Sequence, residues 1–175
     1  YYSNLNVFYR YGYGMPNCTA YAYGRAYEIL GSEPKLSWNN AEQWYGYNKA
    51  NGYYKYGQTP KVGAIACWSY SYGGGHVAVV EKVENGVITL SNSAYSGANF
   101  YISTASISDP KVGGNKGWNF QGYIYLGNFS SSTSTTQATT KKVTYTTGTY
   151  KTDVDDYLNM RSGAGTSYKS VASVP

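Results

Sequence analysis

Asn17-Cys18-Thr19-Ala20-Tyr21-Ala22-Tyr23-Gly24-Arg25 and, further along, Gly75-His76-Val77-Ala78-Val79-Val80 decide how this chain is read. Asn17 is a helix-capping residue type. The pattern from Ala20 to Tyr27 continues to Gly31, which favours the left-handed conformation that ends a helix. The spacing therefore predicts a helix over 17–30 with Cys18 in its first turn. Unpaired amide N–H groups and the positive end of the helix dipole stabilise a thiolate there, so a lowered Cys18 pKa is expected. The second stretch reads as a strand and carries the chain's only histidine. One activated cysteine, with one histidine able to act as base and then as acid, is the minimum for cysteine-dependent acyl transfer.

Working outward, a second helix is expected from near Asn39, covering Ala41 to Tyr47 and ending at Gly52. Ala41, Trp44 and Tyr45 fall at helical spacing. The pattern then changes to strands. Thr59-Pro60-Lys61 signals a turn before the apolar run 63–68. His76 to Val83 forms a strand, Glu84-Asn85-Gly86 turns the chain, and Val87 to Leu90 returns antiparallel. Residues 101–103 and 122–126 read as further strands. Helices first and antiparallel strands afterwards argue for an α+β domain. No internal repeat is evident.

The 175 residues allow one ordinary domain or somewhat more. The 23 tyrosines are the unusual feature. Tyrosine supplies apolar area with a polar tip, which suits wet concave surfaces that grip polar ligands, and it also suits half-buried strands. The net charge of +5 fits an acidic partner such as an anionic wall polymer, but no Lys/Arg stripe forms a nucleic-acid footprint. Two cysteines do not make a disulfide framework, and with one histidine they are too few for a zinc site. Cys67 lies within an apolar strand and reads as core. No apolar run approaches membrane-spanning length. Tyr1 is not a methionine, which leaves open whether a leader preceded it.

Residues 128–142 are dominated by serine and threonine and read as a flexible linker between a domain at 1–127 and a segment at 143–175. The last segment has an all-β pattern that stops mid-pattern at Val174-Pro175, so truncation is expected there. Ahead of His76, Gly73-Gly74-Gly75 gives open backbone along which a substrate chain could approach.

Together, Asn17-Cys18-Thr19 with Tyr21-Ala22-Tyr23-Gly24-Arg25, Gly63-Ala64-Ile65-Ala66-Cys67-Trp68, Gly75-His76-Val77-Ala78-Val79-Val80-Glu81 and Ser91-Asn92-Ser93-Ala94-Tyr95 resemble a CHAP domain. This is the cysteine, histidine-dependent amidohydrolase/peptidase family of bacterial wall hydrolases and phage endolysins. The resemblance runs from about Val7 to Gly127. It implies a papain-like α+β fold, a cysteine nucleophile at a helix start, a histidine on the facing sheet and cleavage of amide bonds in peptidoglycan. Either the N-acetylmuramoyl–L-alanine bond or a peptide bond would be the target. The related NlpC/P60 family is the poorer match, because its Asp-Cys-Ser-Gly and second histidine are missing. The different-class alternative is a non-catalytic wall-binding protein on the same fold.

The resemblance also implies a third group that accepts the other imidazole N–H. Many CHAP members use a carboxylate on the next strand, where this chain offers Ser91, Asn92 and Ser93. Asn92 is the expected orienter, since an amide oxygen accepts well. Register leaves this open: a two-residue Asn85-Gly86 turn puts Ser91 and Ser93 on the histidine face, and a three-residue loop puts Asn92 there. Glu81 alternates to the opposite face and reads as a solvated charge. Asn17 either caps the helix or, with the Cys18 amide, binds the oxyanion. Residues 9–16 lack the carboxylates with which some CHAP domains hold calcium, so no metal or cofactor is expected. Tyr11, Tyr13, Trp44 and Tyr45 are candidates to line a substrate groove, with ordinary packing as the alternative. Leu158-Asn159-Met160-Arg161-Ser162-Gly163-Ala164-Gly165-Thr166 resembles the opening of a bacterial SH3-like wall-binding domain. The expected partner is peptidoglycan, with the chain secreted or phage-encoded and acting as a monomer at the cell wall, without nucleic acid or membrane.

Overall fold

A computed structural model describes residues 3–111 and 116–127, and the backbone of 158–161 and 170–174. The chain divides into two compact units, Tyr1–Thr133 and Ser134–Pro175. In the first unit a short helix α1 (Val7–Arg10) precedes α2 (Cys18–Leu30). A 3-10 turn (Ala41–Gln43) leads into α3 (Trp44–Asn51). Six strands follow: β1 (Lys55–Gly57), β2 (Ile65–Tyr70), β3 (Gly75–Glu84), β4 (Val87–Asn92), β5 (Tyr101–Ser106) and β6 (Trp118–Tyr125). They form one antiparallel sheet in the order β1-β6-β2-β3-β4-β5. This is the expected α+β architecture, helices before sheet.

The ends of α2 form as the sequence predicts. Asn17 is extended and its Oδ1 accepts from the Thr19 amide at 3.1 Å. Gly31 closes the helix at φ +66°. Between these caps, Ala20, Tyr21, Ala22, Tyr23 and Ala26 are buried against Ile65, Cys67, Val77, Val79 and Ile124 of the sheet. On the opposite face Ala66, Trp68, Ala78, Val80, Ile88, Leu90 and Tyr123 form a second core. The Trp68 indole donates to the Pro110 carbonyl at 2.7 Å, which fixes the segment after β5 over that face.

Several boundaries differ from the sequence reading. The second helix begins as a 3-10 turn and becomes α-helical only at Trp44. Buried Asn48 clamps its far end, exchanging hydrogen bonds with the Tyr54 backbone at 2.9 and 3.0 Å. β6 starts at Trp118 rather than Gly122, because Gly122 is an interior strand residue. Its φ is +143°, and a Cβ there would lie 2.6 Å from the Tyr45 ring. A glycine that makes room for a tyrosine looks, in sequence, like a strand boundary.

In the second unit, β7 (Leu158–Arg161) and β8 (Ser170–Val174) pair antiparallel. The predicted linker at 128–142 lies outside the described residues, as does most of the SH3-like segment.

Candidate active site

Cys18 opens α2 at one wall of a cavity of about 420 Å³. Its side chain is buried, with 7% of the residue exposed. The nearby backbone amides of Val77, Thr19 and Cys18 itself favour the thiolate. Loss of hydration outweighs them, and the nearby Glu42 carboxylate adds to the same side, so the Cys18 pKa is raised from 9.0. This overturns the expectation of a lowered pKa. Helix-end geometry is local and legible, whereas desolvation is set by the tertiary packing.

Val77 follows His76 in β3, so one of the amides that favour the thiolate belongs to the histidine's neighbour. The imidazole is buried beside Trp68, which holds its pKa below 6.5 despite an opposing hydrogen bond to Asn92. His76 Nε2 and Asn92 Oδ1 are 2.9 Å apart. The orientation of the amide follows from its other end. Asn92 Nδ2 lies 3.1 Å from the Leu90 carbonyl and 3.0 Å from Ser103 Oγ. A carbonyl can only accept, so the amide nitrogen must face Leu90 and the oxygen must face the ring. Nε2 then donates, and in the neutral imidazole Nδ1 keeps its lone pair.

The register question has an answer that the sequence reading did not contain. The turn is the two-residue form, with Asn85 at φ +51° and Gly86 at +77°, and Glu84 pairs with Val87. Continued unshifted past Lys82–Thr89, this register would put Ser91 and Ser93 on the histidine face. Between Val80 and Lys82 it shifts by one, so that Val80 pairs with Leu90 and Val79 with Ser91. Glu81 is the extra residue of a β-bulge: β3 changes phase there, so that Val80 and Val83 face the same core, while β4 alternates without a break and Asn92 falls on the face of Ile88 and Leu90. Asn92 arrives at His76 because of that bulge.

The bulged residue is not a solvated charge, as the sequence suggested. Glu81 accepts two hydrogen bonds at 3.0 Å from Arg25 of α2 and one at 2.8 Å from Ser91 Oγ. These donors hold its carboxyl below 4.5. Ser93 Oγ is engaged with the Ala98 carbonyl at 3.2 Å. The three neighbours considered as orienters therefore have separate partners, and Asn92 alone meets the ring.

Of the four aromatic groove candidates, only Tyr13 lines the cavity, with Phe8, Gly14, Asn17, Thr19, Asn40, Ala41, Glu42, Gly74, Gly75 and Tyr95. Trp44 is completely buried and stacks on Phe8, so it belongs to the core. Tyr45 covers Gly122 and meets Tyr56 edge-on. Tyr11 is exposed beside Trp38, outside the lining. An aromatic residue type does not disclose which way it faces, and that explains these three corrections. The triple glycine has a second reason besides access. A Cβ on Gly75 would lie 2.4 Å from the Trp68 carbonyl and 2.6 Å from the Glu42 amide, so the 3-10 turn packs directly on β3 there. Sequence reading missed Glu42 and Tyr95 as lining residues.

Asn17 serves the helix through Oδ1, which also accepts from Thr19 Oγ1 at 2.9 Å. It lines the cavity as well, and its Nδ2 has no partner among the described residues. Cys67 is wholly buried, and burial alone raises its pKa. Among the described residues no helix is long and apolar enough to cross a membrane.

The described residues thus hold a thiol at a helix start and, on the sheet, a buried histidine hydrogen-bonded to Asn92. Residues 8–94 match the CHAP domain. The CHAP match begins in α1 and ends two residues after Asn92, so it spans Cys18, His76 and Asn92. The probable autolysin LDP of Staphylococcus aureus (strain NCTC 8325 / PS 47) is 41% identical over 105 residues, covering 58% of this chain and 35% of that protein. The staphylococcal secretory antigen SsaA of the same strain is 34% identical over 102 residues, covering 58% of this chain and 38% of its own length. The chain thus aligns with little more than a third of each of these curated relatives.

Proposed function

We propose that this chain is a peptidoglycan hydrolase that cleaves an amide bond with a Cys18 nucleophile. The observation that carries the reading is Cys18 at the start of α2 in the cavity wall, with the Val77 amide of β3 favouring its thiolate and the preceding residue, His76, held at Nε2 by Asn92. The CHAP match and the autolysin relative support peptidoglycan as the substrate class.

In the proposed reaction His76 Nδ1 takes the thiol proton as Cys18 Sγ adds to the amide carbonyl. The free Asn17 Nδ2 and the Cys18 amide accommodate the oxyanion, while Asn17 Oδ1 continues to cap α2. His76 returns the proton to the departing amine as the C–N bond breaks. Water, deprotonated by His76, then hydrolyses the thioester and restores the thiol. Burial keeps both groups neutral in the resting protein, so charge separation is deferred until substrate arrives. Residues 1–127 would form the catalytic unit, 128–142 the linker and 143–175 part of an SH3-like wall-targeting segment. The names of the relatives fit action outside the cell or at its wall.

Mass spectrometry of digested sacculi tests the reading and names the bond. A free lactyl group on muramic acid identifies an N-acetylmuramoyl–L-alanine amidase, and a new peptide amine identifies an endopeptidase. Wall binding with neither product would favour the non-catalytic alternative.

A further inference from the structure

Glu42 stands in the cavity wall with Cys18, close enough that its charge raises the thiol pKa. One of its carboxylate oxygens, Oε2, is shut off from solvent and has no hydrogen-bond partner among the described residues. Leaving a carboxylate oxygen in that state is costly unless a donor arrives. The backbone that carries it is firmly placed. Gln121 Nε2 donates to the Glu42 carbonyl at 3.0 Å, and Gly75 admits the Glu42 backbone against β3. Gln121 also carries an unpaired acceptor, Oε1.

The charge around this carboxylate is one-sided. The chain as a whole is basic, at +5, yet among the described residues no lysine or arginine lines the cavity and Glu42 is its only charged wall residue. A carboxylate with an unpaired oxygen, on backbone fixed beside the nucleophile, disfavours the thiolate. It suits a ligand that brings a positive charge with several donors.

We infer that Glu42 is a specificity-determining residue that receives a primary ammonium group on the substrate segment next to the scissile amide. The inference rests on the proposed amide hydrolysis at Cys18 and adds the charge of the preferred substrate. The ammonium pairs with the carboxylate from its cavity side and neutralises the charge that disfavours the thiolate, so binding the correct substrate also eases deprotonation of Cys18. An acetylated amine would lose the charge and two of its three donors.

The test uses the full chain on purified peptidoglycan with its amines free or acetylated by acetic anhydride. Wild type should lose activity by about tenfold or more on acetylation, as expected for loss of a charged hydrogen bond. Glu42→Gln, nearly isosteric, should turn over free-amine wall at the lower rate and show a free-to-acetylated ratio near one. Glu42→Asp should retain part of the preference. A Glu42→Gln protein with the wild-type ratio would overturn the inference. The same comparison is made for sedimentation of Cys18→Ala and Cys18→Ala/Glu42→Gln with the two walls. If wild type hydrolyses neither wall, the enzymatic reading fails and the binding ratios still decide the role of Glu42. Equal preference for free-amine wall by the two cysteine variants would then overturn it.

Discussion

Cys18 and Cys67 are both buried thiols, and burial raises the pKa of each, yet only one is opposed in doing so. Cys67 sits in the middle of β2, where nothing compensates for lost hydration. Cys18 sits where a helix begins, and three nearby backbone amides favour its thiolate. Depth is common to the two sites, and the supply of unpaired donors separates them. A buried cysteine becomes useful for nucleophilic chemistry where the backbone has N–H groups to spare, and an interior strand has none.

The largest expected effect tests that contrast directly. Cys18→Ala should lower wall lysis by about 10⁴-fold or more, as loss of a nucleophile does in comparable enzymes. Cys67→Ala should leave turnover nearly intact and cost roughly 1 kcal/mol of stability, read from denaturant midpoints. Equal loss of lysis in both variants would end the distinction.

The next effect concerns His76, proposed to serve Cys18 and not Cys67. Asn92→Ala should reduce kcat by about 10²-fold with little change in KM, because the amide orients the ring rather than the substrate. Ser91→Ala should instead weaken the Glu81–Arg25 cluster and lower stability modestly, and Ser93→Ala should do less to either. Kinetics of the three variants on purified peptidoglycan, alongside melting curves, would separate these roles. Ser91→Ala or Ser93→Ala as the most damaging to kcat would contradict the hydrogen bonding described above.

A smaller effect lies in the dependence of stability on pH. Both thiols are raised above their ordinary 9.0, so the unfolded chain releases protons first and stability declines as pH rises past about 9. His76 is held below its ordinary 6.5, so the unfolded chain takes up a proton that the folded chain refuses, and stability declines as pH falls below about 6.5. Glu81, held below 4.5, adds a further loss at more acid pH as it becomes protonated. Denaturation midpoints across pH should therefore form a plateau between about 6.5 and 9. Cys67→Ala should flatten its alkaline side without moving the acid side. The smallest expected effect is none: activity should survive EDTA, and loss restored by a divalent ion would expose ligands that the sequence did not reveal.

The parts of this molecule that were legible in its sequence are those governed by local chemistry. Asn17 and Gly31 bracket α2 because capping and left-handed backbone are properties of those residues. Asn85-Gly86 makes a two-residue turn for the same reason. What was illegible depends on neighbours distant along the chain. Nothing in Val80-Glu81-Lys82 announces an extra residue. The bulge at Glu81 is accompanied by Arg25 from α2 and Ser91 from the facing strand. Trp44 and Tyr13 are both aromatic, yet one fills the core and the other lines the cavity, a choice made by the packing of α1 and α3. Asn92 was assigned to the histidine through a three-residue loop that does not exist. The assignment meets the ring only because the bulge supplies the missing offset.

That offset has an evolutionary consequence. A hairpin alternates between two phases, and a single residue at position 81 sets which phase reaches the histidine end. Removing Glu81 while keeping the turn would leave every residue of the site present in the chain and present the wrong partner to the ring. The same deletion would strip Arg25 of the carboxylate that it grips. Lineages of this hairpin should therefore tolerate changes of residue type in the outer turn far more readily than changes of length at the bulge. The length of β3, as much as the identity of Asn92, is part of what is inherited as the site.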